Sequence, residues 1–303
     1  MKLGFVSAIL PEYSFEQLID YSSKIGMDCV EVAAWPVGKA ERRYAGVTHI
    51  DVASLDKEKA DYINNYLQER NVEISAIGYY PNPLDPDPAV RKTAAEHIKK
   101  CIEGARILGL HNMNTFIGKD PSLPISENMK LFREIWPDII KCAEDNDVKV
   151  GIENCAMFYS MDEWPGGKNL ASTPAIWTDM FSIIDSKNFG LNYDPSHFVW
   201  PQMDYIQPIY DFADKMFHFH IKDVKFYADR YNKVGMMATP LEYHAPKLPG
   251  LGDIDWGKTM SALYDIHYKG PAVIEVEDRA FEDTIEDKLH SIELSQRYMR
   301  NFI

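Results

Sequence analysis

The sequence has 303 residues, 46% of them hydrophobic and 26% charged, which is the composition of a globular protein of one large domain or two ordinary ones. Its formal net charge of −14 disfavours nucleic-acid binding, because an acidic surface repels a phosphate backbone. The sequence contains no bilayer-spanning apolar stretch, no signal-peptide pattern and no CxxC pair among its four cysteines, so it predicts a cytoplasmic protein with free thiols and no membrane partner.

Short apolar or β-branched runs alternate with longer amphipathic segments along the whole chain. The first helical pattern opens with the run SFEQ at 14–17, a capping box, and Gly26 and Gly109 stand just past two helical patterns. The predicted strands cover residues 2–8, 28–33, 72–79, 111–116, 148–154, 188–194, 217–222 and 272–277. The predicted helices cover residues 14–25, 55–70, 87–108, 126–146, 173–185, 205–213, 256–267 and 284–300.

Strict alternation of strands and helices predicts a parallel sheet. Eight such units fit a closed (β/α)₈ TIM barrel, with the surplus residues in long loops. A doubly wound open sheet is the competing architecture, but no glycine-rich phosphate loop follows the first strand. Neither an internal repeat nor a linker divides the chain, so residues 1–303 are predicted to form one domain.

The side-chain parity of the last four strands places ionisable residues inside the barrel. In the run FHFHIK at 217–222, the apolar set must face the helices, so His218, His220 and Lys222 point inward. The same parity places Glu153 and Asp194 inward, each at a strand end. In AVIEVE at 272–277, parity turns both acids inward, and only depth distinguishes Glu275 from Glu277.

The predicted inward residues at the ends of strands five to eight suit a metal ion. Taken singly, an acid at a strand end is commonly a cap or part of a loop salt bridge, and an inward histidine is commonly a core residue. Three buried carboxylates at one rim, however, would repel one another unless they were protonated or neutralised. Oxygen-rich ligation with one imidazole predicts one divalent cation, Mn²⁺, Mg²⁺, Co²⁺ or Fe²⁺, with Zn²⁺ also compatible.

Four motifs resemble the xylose isomerase-like TIM-barrel superfamily, and within it the sugar phosphate isomerase/epimerase group: GIEN at 151–154, NYDPSH at 192–197, HFHIKD at 218–223 and VIEVED at 273–278. The run PGLGDIDW at 249–256 is also similar to a segment of that group, and the resemblance covers nearly the whole chain. It implies a metal held by Glu153, Asp194, His220 and Glu275, with His197 contacting the substrate. It also implies that Glu153 and Glu275 exchange the substrate proton.

One departure bears on the substrate. Epimerases of the group that act on free ketoses carry another glutamate shortly after the fifth-strand glutamate, whereas the run CAMFY at 155–159 contains none. This makes a free ketohexose the less favoured substrate. Lys222 and Trp35 are further candidate substrate contacts. Glu31 faces inward by parity and is either a substrate contact or a partner that supports the residues of the site. Arg230, His244 and Lys247 lie in the long loop after strand seven, where a lid or a phosphate clamp would be expected.

The predicted function is a metal-dependent isomerase or epimerase of a keto-sugar or sugar phosphate, acting by glutamate-mediated proton transfer through a metal-stabilised enediolate. The first alternative is a metal-dependent dehydratase of a keto-inositol or keto-sugar. An abasic-site endonuclease is disfavoured, because that chemistry needs more inward histidines and a positive groove. A non-catalytic binding protein is a third alternative, and a homo-oligomeric assembly is left open.

Overall fold

The computed structural model describes residues 1–38, 44–157 and 167–303. The strands of these residues are β1 (Lys2–Val6), β2 (Cys29–Ala33), β3 (Glu73–Gly78), β4 (Asn112–Thr115), β5 (Lys149–Glu153), β6 (Phe189–Tyr193), β7 (Met216–Ile221), β8 (Asp223–Phe226), β9 (His244–Lys247) and β10 (Pro271–Ile274). Eight of them close into a barrel in the order β1, β10, β7, β6, β5, β4, β3, β2, and all eight neighbouring pairs are parallel. The predicted TIM barrel is therefore confirmed.

The helices surround this barrel. They are α1 (Phe15–Ile25), α2 (Lys57–Arg70), α3 (Pro88–Leu108), α4 (Ile125–Asn146), α5 (Pro174–Ile183), α6 (Ser196–Val199), α7 (Gln207–Asp211), α8 (Ala228–Val234), α9 (Trp256–Asp265) and α10 (Ile285–Met299). Their apolar faces and the outward side chains of the barrel strands form one continuous core. Among the described residues, every helix is too short or too polar to cross a membrane.

Local signals set the helix ends where the sequence predicted them. The Ser14 side chain accepts a hydrogen bond from the Gln17 backbone, and the Gln17 side chain accepts one from the Ser14 backbone, which completes the capping box at α1. Gly26 and Gly109 end α1 and α3 with φ values of 76° and 74°, a left-handed conformation that glycine adopts at little cost. These caps fix the points at which the chain turns back into the barrel.

Several predicted strands and helices were longer than those in the structure. The first strand ends at Val6 because Ser7 leaves the ladder, and its hydroxyl accepts a hydrogen bond from the Ala33 backbone. The last barrel strand ends at Ile274, so Glu275 and Glu277 follow the strand. The helix predicted over 205–213 is only α7, because the Asp204 carboxylate caps the backbone of Ile206 and Gln207.

The long loop after β7 contains structure that the sequence did not predict. β8 and β9 pair as an antiparallel hairpin, and α8 lies in the connection between them. The hairpin was missed because each strand is four residues long, and Pro246 within β9 interrupts any strand-like pattern. This hairpin rises from the carboxyl end of β7 and borders the cavity described next.

Candidate metal and substrate site

Four ionisable side chains converge where β5, β6, β7 and β10 end. Glu153 is the last residue of β5, Asp194 follows β6, His220 is the penultimate residue of β7, and Glu275 follows β10. One potential ligand atom from each lies within 4.8 Å of those of the other three. The side-chain parity of the strands and the positions of their ends had predicted that these residues lie together. Depth now distinguishes the two acids after β10, because Glu275 completes the group.

The chemistry of this group fits a divalent cation. Among the described residues, Asp194 Oδ2 and His220 Nδ1 are buried and make no hydrogen bond of acceptable geometry. Buried polar atoms of this kind are uncommon unless a water or an ion satisfies them. Three carboxylates and one imidazole form the donor set preferred by Mn²⁺, Mg²⁺, Co²⁺ and Fe²⁺. The group therefore meets both requirements of a metal site, although the same acids also contact a lysine.

Lys222 reaches into the acidic cluster. Its Nζ lies 2.7 Å from Glu275 Oε2, 3.0 Å from Asp194 Oδ2 and 3.2 Å from Glu277 Oε2. Burial would lower the pKa of Lys222, but the surrounding carboxylates raise it well above its usual value. The repulsion that the sequence argument assigned wholly to a metal ion is thus relieved in part by an ammonium group of the chain itself.

The two glutamates of the cluster have different proton affinities. Burial would raise the pKa of Glu153, but the hydrogen bond from His197 and the proximity of His220 and Lys222 hold it well below its usual value. The pKa of Glu275 is raised, chiefly by burial, which outweighs the opposing effect of Lys222. Asp194 is also held ionised, because Lys222 and His197 overcome the effect of burial and lower its pKa to about 2. Glu153 is therefore the member of the pair that stays ionised.

His197 lies beside the cluster on α6, just after Asp194. Its Nε2 is 3.2 Å from Asp194 Oδ2 and 3.3 Å from Glu153 Oε1, and its side chain is 13% exposed. Asp194 Oδ1 accepts a hydrogen bond from the Ser196 backbone, so the start of α6 is tied to the cluster. His197 also lines the cavity, and its role as a substrate contact stays a prediction.

Glu31 lies on the opposite side of His220, inside the barrel. Its Oε2 is 2.9 Å from His220 Nε2 and accepts a hydrogen bond of 2.8 Å from Asn114, while Oε1 accepts one from Tyr80. A Cβ at Gly78 would lie 2.5 Å from Glu31 Oε1, so only glycine leaves room for this carboxylate. Glu31 reaches the cavity wall with both oxygens already engaged by the chain.

The cluster lies at the base of a cavity of about 830 Å³ at the carboxyl ends of the barrel strands. Lys222 and Glu275 line its base, and the aromatic walls include Trp35 and Trp200. The Trp35 ring packs edge-on against Tyr79, with ring centroids 4.9 Å apart. Three residues of the loop after β7 singled out in the sequence, Arg230, His244 and Lys247, also border the cavity. Lys247 is paired there with buried Asp278.

Sequence reasoning missed the amides that hold the cluster in place. The Asn154 side chain donates to the backbone oxygen of Asp194 and accepts from its backbone nitrogen, both at 2.8 Å. Asn114 supports Glu31, as described above. Strand parity could have identified Asn114 as inward, whereas no pattern connects Asn154 to the neighbouring strand. Of the run CAMFY at 155–159, the structure describes residues up to Met157, and Phe158 and Tyr159 lie outside the described residues.

This chain is similar to a protein-family model, to a bacterial protein and to several solved structures. The family model described as xylose isomerase-like TIM barrel matches residues 19–301. The uncharacterized protein YfiH of Bacillus subtilis is 25% identical over 299 residues, which cover 92% of this chain and 93% of YfiH. Two solved structures cover all of this chain and 99% of their own: the D-psicose 3-epimerase of Clostridium cellulolyticum H10 with D-tagatose (TM-score 0.72, 18% identity) and the IolI protein with a bound zinc atom (TM-score 0.73, 17% identity). At these identities the two structures share the fold.

Proposed function

The chain belongs to the xylose isomerase-like TIM-barrel family, and we propose that it is a divalent-metal-dependent isomerase or epimerase of a keto-sugar or a sugar phosphate. The observation that carries this proposal is the convergence of Glu153, Asp194, His220 and Glu275 at the base of a cavity large enough for a monosaccharide or its phosphate. These four side chains would hold the cation.

Glu153 and Glu275 are the proposed proton carriers. Their Oε atoms approach His220 Nδ1 to 3.8 Å and 3.4 Å respectively, so both carboxylates border the same space. The low pKa of Glu153 keeps it ionised and able to remove a proton from a carbon next to a carbonyl. The raised pKa of Glu275 suits a group that returns a proton. Proton removal by one residue and return by the other would invert the configuration of a hydroxyl-bearing carbon, or move the carbonyl to the neighbouring carbon.

When bound, the cation would polarise the substrate carbonyl and so favour loss of the neighbouring proton. His197 Nε2 is close enough to the ligand oxygens to donate a hydrogen bond to a substrate oxygen held there. Lys222 carries a positive charge at the same depth and can stabilise negative charge on the substrate. Trp35 supplies an apolar wall for a sugar ring.

The similar proteins support the reaction class. One solved structure that shares the barrel is named as a D-psicose 3-epimerase with D-tagatose, and another is named as IolI with a zinc atom. The described residues 155–157, which follow Glu153, contain no second glutamate. We therefore place phosphorylated keto-sugars ahead of free ketohexoses in the test.

The proposal is tested by proton exchange. The metal-loaded chain is incubated in deuterium oxide with a panel of free and phosphorylated keto-sugars, and exchange at carbons next to the carbonyl is followed by NMR. We expect exchange with at least one member, and its loss in Glu153→Gln, because the amide cannot accept the proton. Glu58→Gln on exposed α2 is the matched control and should exchange like the wild type.

Two other results would replace the proposal. A product that has lost water would identify a dehydratase, which shares the first proton transfer but then expels a hydroxyl group. Absence of exchange and of conversion across the panel, with metal bound and Glu153 intact, would favour the binding protein. Chelator-sensitive nicking of a duplex with an abasic site, at catalytic protein concentrations, would indicate the endonuclease.

A further inference from the structure

We propose that Glu153, Cys155 and His197 form a second metal site, which takes a thiophilic cation such as Zn²⁺ at the wall of the cavity. The ligand atoms of these three residues lie within 4.8 Å of one another. They are one carboxylate oxygen, one sulfur and one ring nitrogen. Glu153 would be common to this site and to the four-residue cluster at the base of the cavity.

The separation of two of the three ligand atoms suits a tetrahedral ion. His197 Nε2 lies 3.3 Å from Glu153 Oε1, a separation expected of two atoms that are each about 2.0 Å from one such ion. All three side chains line the cavity, so a small ligand or water can fill the fourth position. An ion could therefore reach the three ligand atoms from the cavity.

The backbone on which Cys155 lies is held in place. The Asn169 side chain donates hydrogen bonds of 2.9 Å to the Glu153 carbonyl and 2.7 Å to the Cys155 carbonyl. Its own carbonyl oxygen accepts from the backbone of Ile117 and Gly118, which follow β4. This amide fixes the segment after β5, so the thiol and the Glu153 carboxylate are presented together.

The donor set distinguishes this site from the four-residue cluster. The cluster offers three carboxylates and one imidazole, which suit hard cations, whereas a thiolate strongly favours softer cations such as Zn²⁺ and Cd²⁺. On binding, the Cys155 thiol releases its proton to solvent and the sulfur becomes a ligand. The hydrogen on His197 Nε2, which faces Glu153 and Asp194, is also displaced, so that the nitrogen can ligate the ion. The other thiols are placed differently: Cys29 and Cys101 are buried, and Cys142 lies on α4 outside the cavity lining.

Occupation of this site would inhibit the enzyme, a consequence that rests on the proposed function. An ion held by Glu153 and His197 occupies the proposed base and the proposed substrate contact at the same time. Hard cations would then support turnover, while micromolar Zn²⁺ would suppress it by binding beside them. Binding of the second ion does not depend on the proposed function. The binding claim and the inhibition claim can therefore be tested separately.

The test uses Co²⁺, because a cobalt–thiolate bond gives an intense charge-transfer absorption that oxygen and nitrogen ligands lack. The chain is first saturated with Mn²⁺ and then titrated with Co²⁺. We expect the charge-transfer band in the wild type, its loss in Cys155→Ala, and its retention in the control Cys142→Ala. Mn²⁺ binding to Cys155→Ala, followed by electron paramagnetic resonance, verifies that the variant is folded with its four-residue cluster intact.

The outcomes separate the binding claim from the inhibition claim. A band that is absent from the wild type, or that persists in a folded Cys155→Ala, overturns the site. In the activity arm, the Zn²⁺ concentration that halves turnover should rise at least about tenfold in Cys155→Ala. Equal Zn²⁺ sensitivity of both proteins, with the band present only in the wild type, would leave a site that binds without inhibiting and would overturn the inhibitory consequence. Absence of any turnover with an intact band would count against the proposed function alone.

Discussion

Glu31 determines which nitrogen of His220 faces the acidic cluster. An ionised carboxylate can only accept hydrogen bonds, so the Nε2 atom 2.9 Å from Glu31 Oε2 carries a hydrogen. In the neutral ring, Nδ1 then keeps its lone pair, and Nδ1 is the atom that lies 3.4 Å from Glu275. A carboxylate behind a ligating histidine orients the ring and increases its basicity. Of the two roles that the sequence left open for Glu31, we therefore propose the positioning role.

We predict that Glu31→Gln weakens Mn²⁺ binding about 10–100-fold. The amide has one acceptor oxygen, which cannot serve Tyr80, Asn114 and His220 as the two carboxylate oxygens do. Isothermal titration calorimetry measures the affinity, and melting temperatures in chelator show whether the variant is equally stable without metal. Glu73→Gln, at the exposed start of β3, is the control. An unchanged Mn²⁺ affinity would mean that Glu31 does not act through His220.

The two histidines of the site should respond differently to removal. We predict that His220→Ala is metal-poor, because its ring belongs to the four-residue cluster. His197→Ala should keep one Mn²⁺ per chain but turn over about 10²–10³-fold more slowly, as expected when a hydrogen bond to the reacting oxygen is lost. Elemental analysis and turnover, measured on the same preparations, give the comparison. If His197→Ala were as metal-poor as His220→Ala, His197 would be a ligand of the first ion.

At the scale of elements, Asp223 attaches the β8–β9 hairpin to the segment before α9. Its carboxylate accepts from the backbone of Gly250, Val224 and Ile254 and from the Trp256 ring nitrogen, at 2.8–3.1 Å. A Cβ at Gly252 would lie 2.1 Å from Asp223 Oδ1, which accounts for the glycine there. In the sequence, the run at 249–256 stood out only for its resemblance to the family. In the structure this run binds Asp223 and so fixes the start of the hairpin, which borders the cavity.

The hairpin also contains a histidine, His244, that should make the stability of the fold depend on pH. Partial burial lowers the pKa of His244 to about 4, well below the value of about 6.5 expected in the unfolded chain. Between these two pH values the unfolded state binds the proton and the folded state does not. The free energy of unfolding should therefore fall as the pH decreases from about 6.5 to about 4, with a contribution from His244 of up to about 1.4 kcal/mol per pH unit.

We predict that His244→Gln flattens this part of the stability profile. Glutamine remains neutral, and its amide can replace the hydrogen bond that His244 Nδ1 donates to the Pro240 carbonyl at 2.6 Å. Urea unfolding of both proteins at several pH values between 4 and 7 gives the two slopes. His111→Gln, at an exposed position, is the control substitution. Parallel profiles for wild type and His244→Gln would show that His244 is not the group responsible.

At the scale of the whole molecule, periodicity in the sequence predicted the regular strands of the barrel, but it did not predict the contacts between individual side chains. Eight barrel strands and the inward parity of Glu153, Asp194 and His220 followed from alternation, because side chains in a strand must alternate. The reach of Lys222 into three carboxylates did not follow, since a long flexible side chain can lie in many directions. The bond between Glu31 and His220 joins β2 to β7, and only the closed barrel brings these strands face to face.

The closing seam of the barrel has a consequence for biosynthesis. β1 forms one ladder with β2 and the other with β10, from Lys2 opposite Pro271 to Phe5 opposite Ile274. On the ribosome β1 is made before the other seven barrel strands, whereas its second partner, β10, is the last of the eight to be made. Until then, one edge of β1 stays open to wrong partners, including other nascent chains, and the pairing that ends this exposure is a slow, long-range step. Glu275 follows that last strand, so all eight barrel strands must be made before the four-residue cluster can assemble.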